Sequence, residues 1–252
     1  MVALKKLIAY TDDLLDVHSF KDYCPNGLQV EGSAELGRLI SGVTASRALI
    51  ETAIERRADA LLVHHGYFWK GEDPCITGLM GARLRLLLQH DISLIVYHLP
   101  LDAHVQFGNN VRLAARLGLQ VDGPLGDHRD GSLGLRGSLA TSLDADSFAR
   151  LVEQKLGRAP LLIAGGSHRI RSMGWCTGAA QGFIERAAAL GLDAYLSGEI
   201  SEPTVHIARE AGIHYLAAGH HATERYGVQA LGDHLAQVYG VWHEFVDIDN
   251  PA

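Results

Sequence analysis

The chain has little of what marks several protein classes. Its 252 residues hold only three cysteines, Cys24, Cys75 and Cys176, widely spaced and without a C-x-x-C pair. A disulfide framework is excluded, and a reduced, cytoplasmic protein with packing thiols is expected. No window approaches 18 uncharged apolar residues, so no membrane span is expected. Positive charge is scarce as well. Lys and Arg number 22 against 29 Asp and Glu, a net charge of −7, with no basic run and no basic–aromatic stripe. Such a balance argues against a general nucleic-acid-binding surface. Residues 1–20 are broken by Lys5, Lys6, Asp12, Asp13 and Asp16. They read as an amphipathic helix turning Leu4, Leu7, Ile8, Leu14 and Leu15 inward, not as a signal peptide.

Histidine, by contrast, is abundant: fourteen residues in a chain that is 47% hydrophobic and long enough for one large or two modest domains. Strand and helix patterns alternate throughout. Apolar runs at 39–43, 60–63, 92–97, 135–140, 161–164, 169–176, 194–197, 214–218 and 241–248 predict strands. Between them, helical periodicity covers 78–90 (with Leu79, Leu84, Leu87 and Leu88 inward), 109–117, 144–156, 182–190, 206–211 and 223–239. In the last of these the core stripe is Val228, Leu231, Leu235 and Val238. Thr44-Ala45-Ser46 offers hydroxyl caps for a helix carrying Leu49, Ile50, Ala53 and Ile54, Asp144 caps the 144–156 helix, and Gly118 is a helix stop. Residues 119–135, rich in Gly and Asp, form the candidate domain boundary.

One unit repeats. Val43-Thr44, Ala53-Ile54-Glu55-Arg56 and Asp59-Ala60-Leu61-Leu62-Val63 are echoed by Trp175-Cys176, Phe183-Ile184-Glu185-Arg186 and Asp193-Ala194-Tyr195-Leu196-Ser197. The expectation is an α/β fold of two similar lobes, each a largely parallel or mixed sheet covered by helices. The first lobe would comprise residues 1–125 with 213–252, the second 126–212.

Metal-type ligands collect where strands end. His64-His65-Gly66 closes the most apolar strand, and adjacent side chains on a strand can converge only at such a break. Asp102 follows the 92–97 strand, flanked by His98 and His104. His220 and Glu224 stand four apart at the head of a helix, hence on one face. Strand carboxyl ends are where open α/β sheets place ligands. Imidazole and carboxylate together suit zinc, iron, manganese or cobalt, and with no thiolate a closed structural zinc site is not expected. Gly178-Ala179-Ala180-Gln181-Gly182 lacks a phosphate-loop pattern and reads as a tight turn, while Glu199 either faces the site or forms a cap or salt bridge. His221 adjoins His220 but points elsewhere once the helix has begun, and the remaining histidines, His128 among them, show no ligand spacing.

These segments resemble a known family. Pro25-Asn26-Gly27-Leu28-Gln29, Val63-His64-His65-Gly66, Tyr97-His98-Leu99-Pro100-Leu101-Asp102-Ala103-His104, Ser197-Gly198-Glu199 and Gly219-His220-His221-Ala222-Thr223-Glu224-Arg225 match, in order, the signatures of the GTP cyclohydrolase I type 2 homologue (Ngg-interacting-factor-three-like) family, in its short bacterial YbgI-type form. The family's frequent Trp-Asp ahead of Asn-Gly-Leu-Gln is replaced here by Cys24-Pro25. The resemblance implies a two-metal site on His64, His65, Asp102, His220 and Glu224, and a ring-shaped homohexamer. It implies two divalent ions per chain and a small-molecule substrate, a nucleotide or phosphoester, with no membrane partner. His98 and His104 are the candidates for proton transfer or for orienting Asp102. The leading expectation is a metal-dependent hydrolase acting on a phosphoryl or ring-carbon electrophile, GTP cyclohydrolase-like in one form. The alternative is a non-enzymatic metal-binding, metal-delivery or scaffolding protein.

Overall fold

The computed structural model describes residues 1–126 and 133–252, so His128 and part of the expected boundary lie outside the described residues. In chain order the elements are β1 (Val2–Ala3), α1 (Leu4–Leu14), β2 (Gly27–Val30), β3 (Glu35–Leu36), β4 (Arg38–Thr44), α2 (Arg47–Glu55), β5 (Ala60–His65), α3 (Gly78–Gln89), β6 (Ser93–Val96) and α4 (Leu99–Ala103). They continue with α5 (Asn109–Leu117), β7 (Leu119–Pro124), β8 (Leu135–Leu143), α6 (Ala145–Leu156), β9 (Leu161–Ile163), β10 (Ile170–Cys176), α7 (Ile184–Ala189), β11 (Ala194–Ser197), α8 (Glu202–Glu210), β12 (His214–Ala217), α9 (His220–Tyr239) and β13 (Trp242–Phe245). Two compact units result: Met1–Phe107 with Gly227–Asp249, and Gly108–Tyr226 with Asn250–Ala252. Among the described residues no helix is long and apolar enough to cross a membrane.

In the first unit the sheet order is β13-β4-β5-β6-β2, parallel except for β2. It is covered on both faces, which is why β5 and β6 are apolar without interruption. Ala60, Leu62, Ile95 and Tyr97 join the α1 residues Leu4 and Leu7 and the α9 residues Val228, Leu231 and Leu235. The alternate residues Leu61, Val63, Leu94 and Val96 join Leu49, Ile50 and Ala53 of α2 and Leu84 and Leu87 of α3. Ser46 caps α2, its hydroxyl accepting from the Leu49 N–H.

The second unit has the order β7-β8-β10-β11-β12-β9, with β10, β11 and β12 parallel and the others antiparallel. Trp175, Leu196 and Leu216 pack with Leu113 of α5 and Phe148 and Val152 of α6. Cys176, Tyr195 and Tyr215 pack with Ile184 of α7 and Ala208 of α8. Asp144 caps α6, and Gly118, at φ +72°, ends α5.

The expected repeat extends further than the β-α-β echo. Three parallel strands flanked by an antiparallel strand that precedes them in the chain occur as β4-β5-β6-β2 and again as β10-β11-β12-β9. Even the polar clamps match. Asp59, just ahead of β5, accepts from the N–H groups of Gly37 (2.7 Å) and Arg38 (2.8 Å). Asp193, just ahead of β11, accepts from those of Arg171 (2.9 Å) and Ser172 (2.7 Å).

Several expectations change. Residues 119–124 form a strand rather than a linker, because β7 pairs with β8. β12 lies in the second sheet, beside β11, so the lobe boundaries move from 125/126 and 212/213 to Phe107/Gly108 and Tyr226/Gly227. A weakly polar edge strand and a short parallel strand carry no sequence mark of the sheet they join. Leu79 and Leu88 in α3 and Val238 in α9 are exposed, and so is Cys75, whereas Cys24 and Cys176 are buried.

Candidate metal centre

In the first unit the alternation of β5 carries on into the histidine pair. Leu62 and Val63 face opposite layers, so His64 and His65 start on opposite sides. At the strand end their rings approach to a centroid distance of 4.6 Å. The chain then turns at Gly66, where a Cβ would sit 2.3 Å from Val96 Cγ2 and 2.5 Å from Gln29 Oε1. Gln29 holds that turn, accepting from the Tyr67 N–H (2.7 Å) and donating to the Tyr67 carbonyl (3.0 Å) and the Pro25 carbonyl (2.8 Å).

His64 is wholly buried. Its Nδ1 is 2.9 Å from the Tyr97 carbonyl, which can only accept, so Nδ1 carries a hydrogen. Its Nε2 is 3.5 Å from Oδ1 of Asp102, a buried residue of α4. His65 Nδ1 is 3.3 Å from Thr44 Oγ1. His98, just ahead of α4, joins them with ring centroids 5.0 Å from His64 and 5.8 Å from His65. One nitrogen of each of these three rings lies within 4.8 Å of the others. The contacts of His104 are local ones. Its Nδ1 accepts from the N–H groups of Gln106 (3.2 Å) and Phe107 (3.0 Å), and its ring stacks on Phe107. Burial lowers its pKa, against the pull of a backbone hydrogen bond at Leu14.

In the second unit, α9 starts at His220, earlier than periodicity indicates, after Gly219 at φ +99°. Thr223 organises the turn. Its hydroxyl lies 2.9 Å from the Gly219 carbonyl and 2.9 Å from the His220 carbonyl, and accepts from the Gly178 N–H (3.1 Å). One turn along, Glu224 is buried with Oε2 3.1 Å from His220 Nε2. On the far side of that ring, Nδ1 is 2.7 Å from Glu199 Oε1. Burial would lower the His220 pKa, but Glu224 and Glu199 outweigh it and push it up to about 9. Gly178 closes the wall. A Cβ there would meet Glu224 Oε1 at 2.1 Å and His220 Nε2 at 3.2 Å.

The structure therefore sets His64, His65, His98 and Asp102 together in one unit and His220, Glu224 and Glu199 together in the other. Asp22 lies in none of the motifs, and the contacts that give Asn26, Gln29 and Gly178 their places are made with residues far along the chain. The donor chemistry fits borderline divalent ions. An imidazole whose Nδ1 is held by a carbonyl or carboxylate is the usual arrangement of a metal-binding histidine; the Tyr97 carbonyl holds His64 in this way and Glu199 holds His220, whose Nε2 faces Glu224.

A second constellation is chemically suggestive but closed. His243 bridges Ser41 Oγ (2.7 Å from Nε2) and Asp233 Oδ1 (2.8 Å from Nδ1), the connectivity of a hydrolytic triad. Ser41 lies inside β4 and is wholly buried, so no substrate reaches it.

Fold and site together define a class: two-unit α/β proteins built on a repeated three-strand parallel motif, with imidazole–carboxylate clusters at the carboxyl ends of the strands. The chain belongs to the Duf34/NIF3 (NGG1p interacting factor 3) family, whose model matches residues 2–251. It is 56% identical over 251 residues to a GTP cyclohydrolase 1 type 2 homolog of Pseudomonas aeruginosa, covering 100% of this chain and 99% of that one. A protein of the same name from Vibrio cholerae is 54% identical, with 98% of each chain covered. Among solved structures, protein ybgI, described as of unknown function, superposes with a TM-score of 0.96 at 45% identity, covering 100% of both chains. TTHA1606 from Thermus thermophilus does so with a TM-score of 0.90 at 32% identity, again over 100% of both.

Proposed function

We propose that the protein is a dinuclear metal-dependent hydrolase of small phosphorylated or heterocyclic substrates. His64, His65 and Asp102 of the first unit and His220 and Glu224 of the second would be its ligands. The observation that carries the reading is the paired arrangement of donors: the His64 Nε2 beside the buried Asp102, and the His220 Nε2 beside the buried Glu224. Zinc, iron, manganese or cobalt ions held there would lower the pKa of water and offset negative charge on the attacked group. The chain's own residues do the rest. The Tyr97 carbonyl and Glu199 hold the His64 and His220 rings by Nδ1, and His98 takes up and returns a proton at Nε2. The name shared by the curated relatives puts nucleotides, GTP among them, in the first group of substrates to try. A homohexameric ring belongs to the same proposal.

The test is turnover of GTP and of bis(p-nitrophenyl) phosphate by metal-loaded protein. Activity should fall by at least about 10²-fold in Glu224→Gln, with far-ultraviolet circular dichroism unchanged. Metal retained with no turnover by the native chain would instead favour a metal-delivery or scaffolding role, for which the deep burial of His64 and Glu224 also suits.

A further inference from the structure

We infer that Asp22 is a positioning residue of this site: it fixes His98 as the Nδ1–H tautomer and leaves Nε2 as that ring's acceptor in the cluster with His64 and His65. The inference draws its catalytic consequence from the hydrolase reading, but its geometry stands apart from it.

The tautomer follows from counting donors. Asp22 Oδ1 accepts from the Tyr23 N–H at 2.6 Å and lies 2.7 Å from His98 Nδ1. Asp22 Oδ2 accepts from the Leu99 N–H at 2.9 Å and from Asn26 Nδ2 at 2.8 Å. Backbone N–H groups only donate, so each oxygen faces an obligate donor, and these bonds together favour the ionised carboxylate. The amide of Asn26 is fixed as well, because its Oδ1 accepts the His98 N–H at 2.7 Å, which leaves Nδ2 to face Asp22. With a carboxylate on one side, His98 Nδ1 must donate.

The surroundings reinforce this. The Asp22 side chain is 3% exposed. Burial alone would raise its pKa, but the hydrogen bonds from His98, Asn26 and Leu99 hold it down at about 2. Trp69 packs against the ring of His98 in a T-shaped contact, with centroids 4.9 Å apart and planes at 88°. Cys24, beside Asp22 and His98, is pushed up to about 12 by burial and by the charge of Asp22, so it stays a thiol and does not compete for the imidazole. A carboxylate that orients an imidazole and selects its tautomer can govern rate without touching a substrate. Asp22 and Asn26 occupy that position relative to His98, and the Pro25-Asn26-Gly27-Leu28-Gln29 signature thereby acquires two tasks: Asn26 steadies His98 and Gln29 steadies the turn after His65.

The experiment is long-range proton–nitrogen correlation of zinc-loaded protein labelled with ¹⁵N-histidine, with His98→Gln assigning the resonance. The expected result is a His98 ring protonated at Nδ1 and bare at Nε2 in the native chain, with that signature lost or mixed in Asp22→Asn. Zinc content should be unchanged in the variant, and kcat on bis(p-nitrophenyl) phosphate should drop on the order of 10²-fold with little change in KM. An Nε2–H tautomer in the native chain overturns the inference, and needs no variant to do so. An Asp22→Asn protein with native tautomer, or one that loses its zinc, overturns it too. Absence of turnover in the native chain would count against the hydrolase reading alone, because the tautomer is read without activity.

Discussion

Replacing Gly178 by alanine tests how closely the second unit is built around its ligands. The added methyl would lie 2.1 Å from Glu224 Oε1, about 1.3 Å short of the 3.4 Å where ordinary contact begins, and 3.1 Å from its Cδ. The carboxylate cannot simply swing into water, because Glu224 is 3% exposed. Nor can residue 178 relax easily: its φ is +66°, and its N–H and carbonyl are held by Thr223 and by Gly198 and Ser197. A non-glycine residue in that backbone region costs roughly 1–2 kcal/mol, and forcing a methyl into filled space costs about 1–3 kcal/mol more. The expected loss of stability is therefore about 2–5 kcal/mol, read as a fall in denaturation midpoint at constant slope. In the fraction that remains folded, Glu224 is displaced by about an ångström, a misplacement worth on the order of 10²-fold in rate. Equilibrium urea unfolding and metal titration would be run on the same preparations. A Gly178→Ala protein with native stability and native metal affinity would refute the close approach of Gly178 to the Glu224 carboxylate.

Two further outcomes follow from the first unit. Gly66→Ala should destabilise by about 1–3 kcal/mol, because its methyl would collide with Val96 and Gln29 and loosen the turn after His65; native stability by urea unfolding would contradict this. Burial lowers the His243 pKa despite its hydrogen bond to Asp233, so the folded state binds its proton less readily than the unfolded chain does. Its contribution is thus present above about pH 6.5 and is lost as pH falls through and below that value. Native protein should lose stability relative to His243→Gln on acidification, by at most about 1.4 kcal/mol per pH unit. Parallel stability–pH curves for the two proteins would be inconsistent with a neutral, buried His243.

Much of the architecture is legible in the residues. A sheet buried on both faces demands uninterrupted apolar strands, and 60–63, 94–97 and 194–197 announce themselves that way. The repeat was also readable, since Asp59-Ala60 and Asp193-Ala194 mark equivalent clamps. What escaped is what depends on partners. β7 is a strand only because β8 lies beside it, and β12 joins the second sheet through β11, a choice that no local pattern encodes. Leu79 and Leu88 fit an inward stripe on paper and yet are exposed, because helical phase alone does not fix which side meets the sheet. At the site, ligand-type residues stand out by type and spacing, whereas the groups that aim them do not. Asp22 and Asn26 act on His98 from more than seventy positions away in the chain. Glu199, by its place after β11, was open to either a site or a salt-bridge role, and it lies on the His220 Nδ1.

The central claim is that these imidazoles and carboxylates hold metal. Elemental analysis of protein purified without chelator or histidine tag, and again after refilling of the apoprotein, tests it most directly. The account predicts about two transition-metal ions per chain, falling in His65→Ala without loss of fold. A chain that stays metal-free after refilling, or a His65→Ala protein with native stoichiometry, would contradict it.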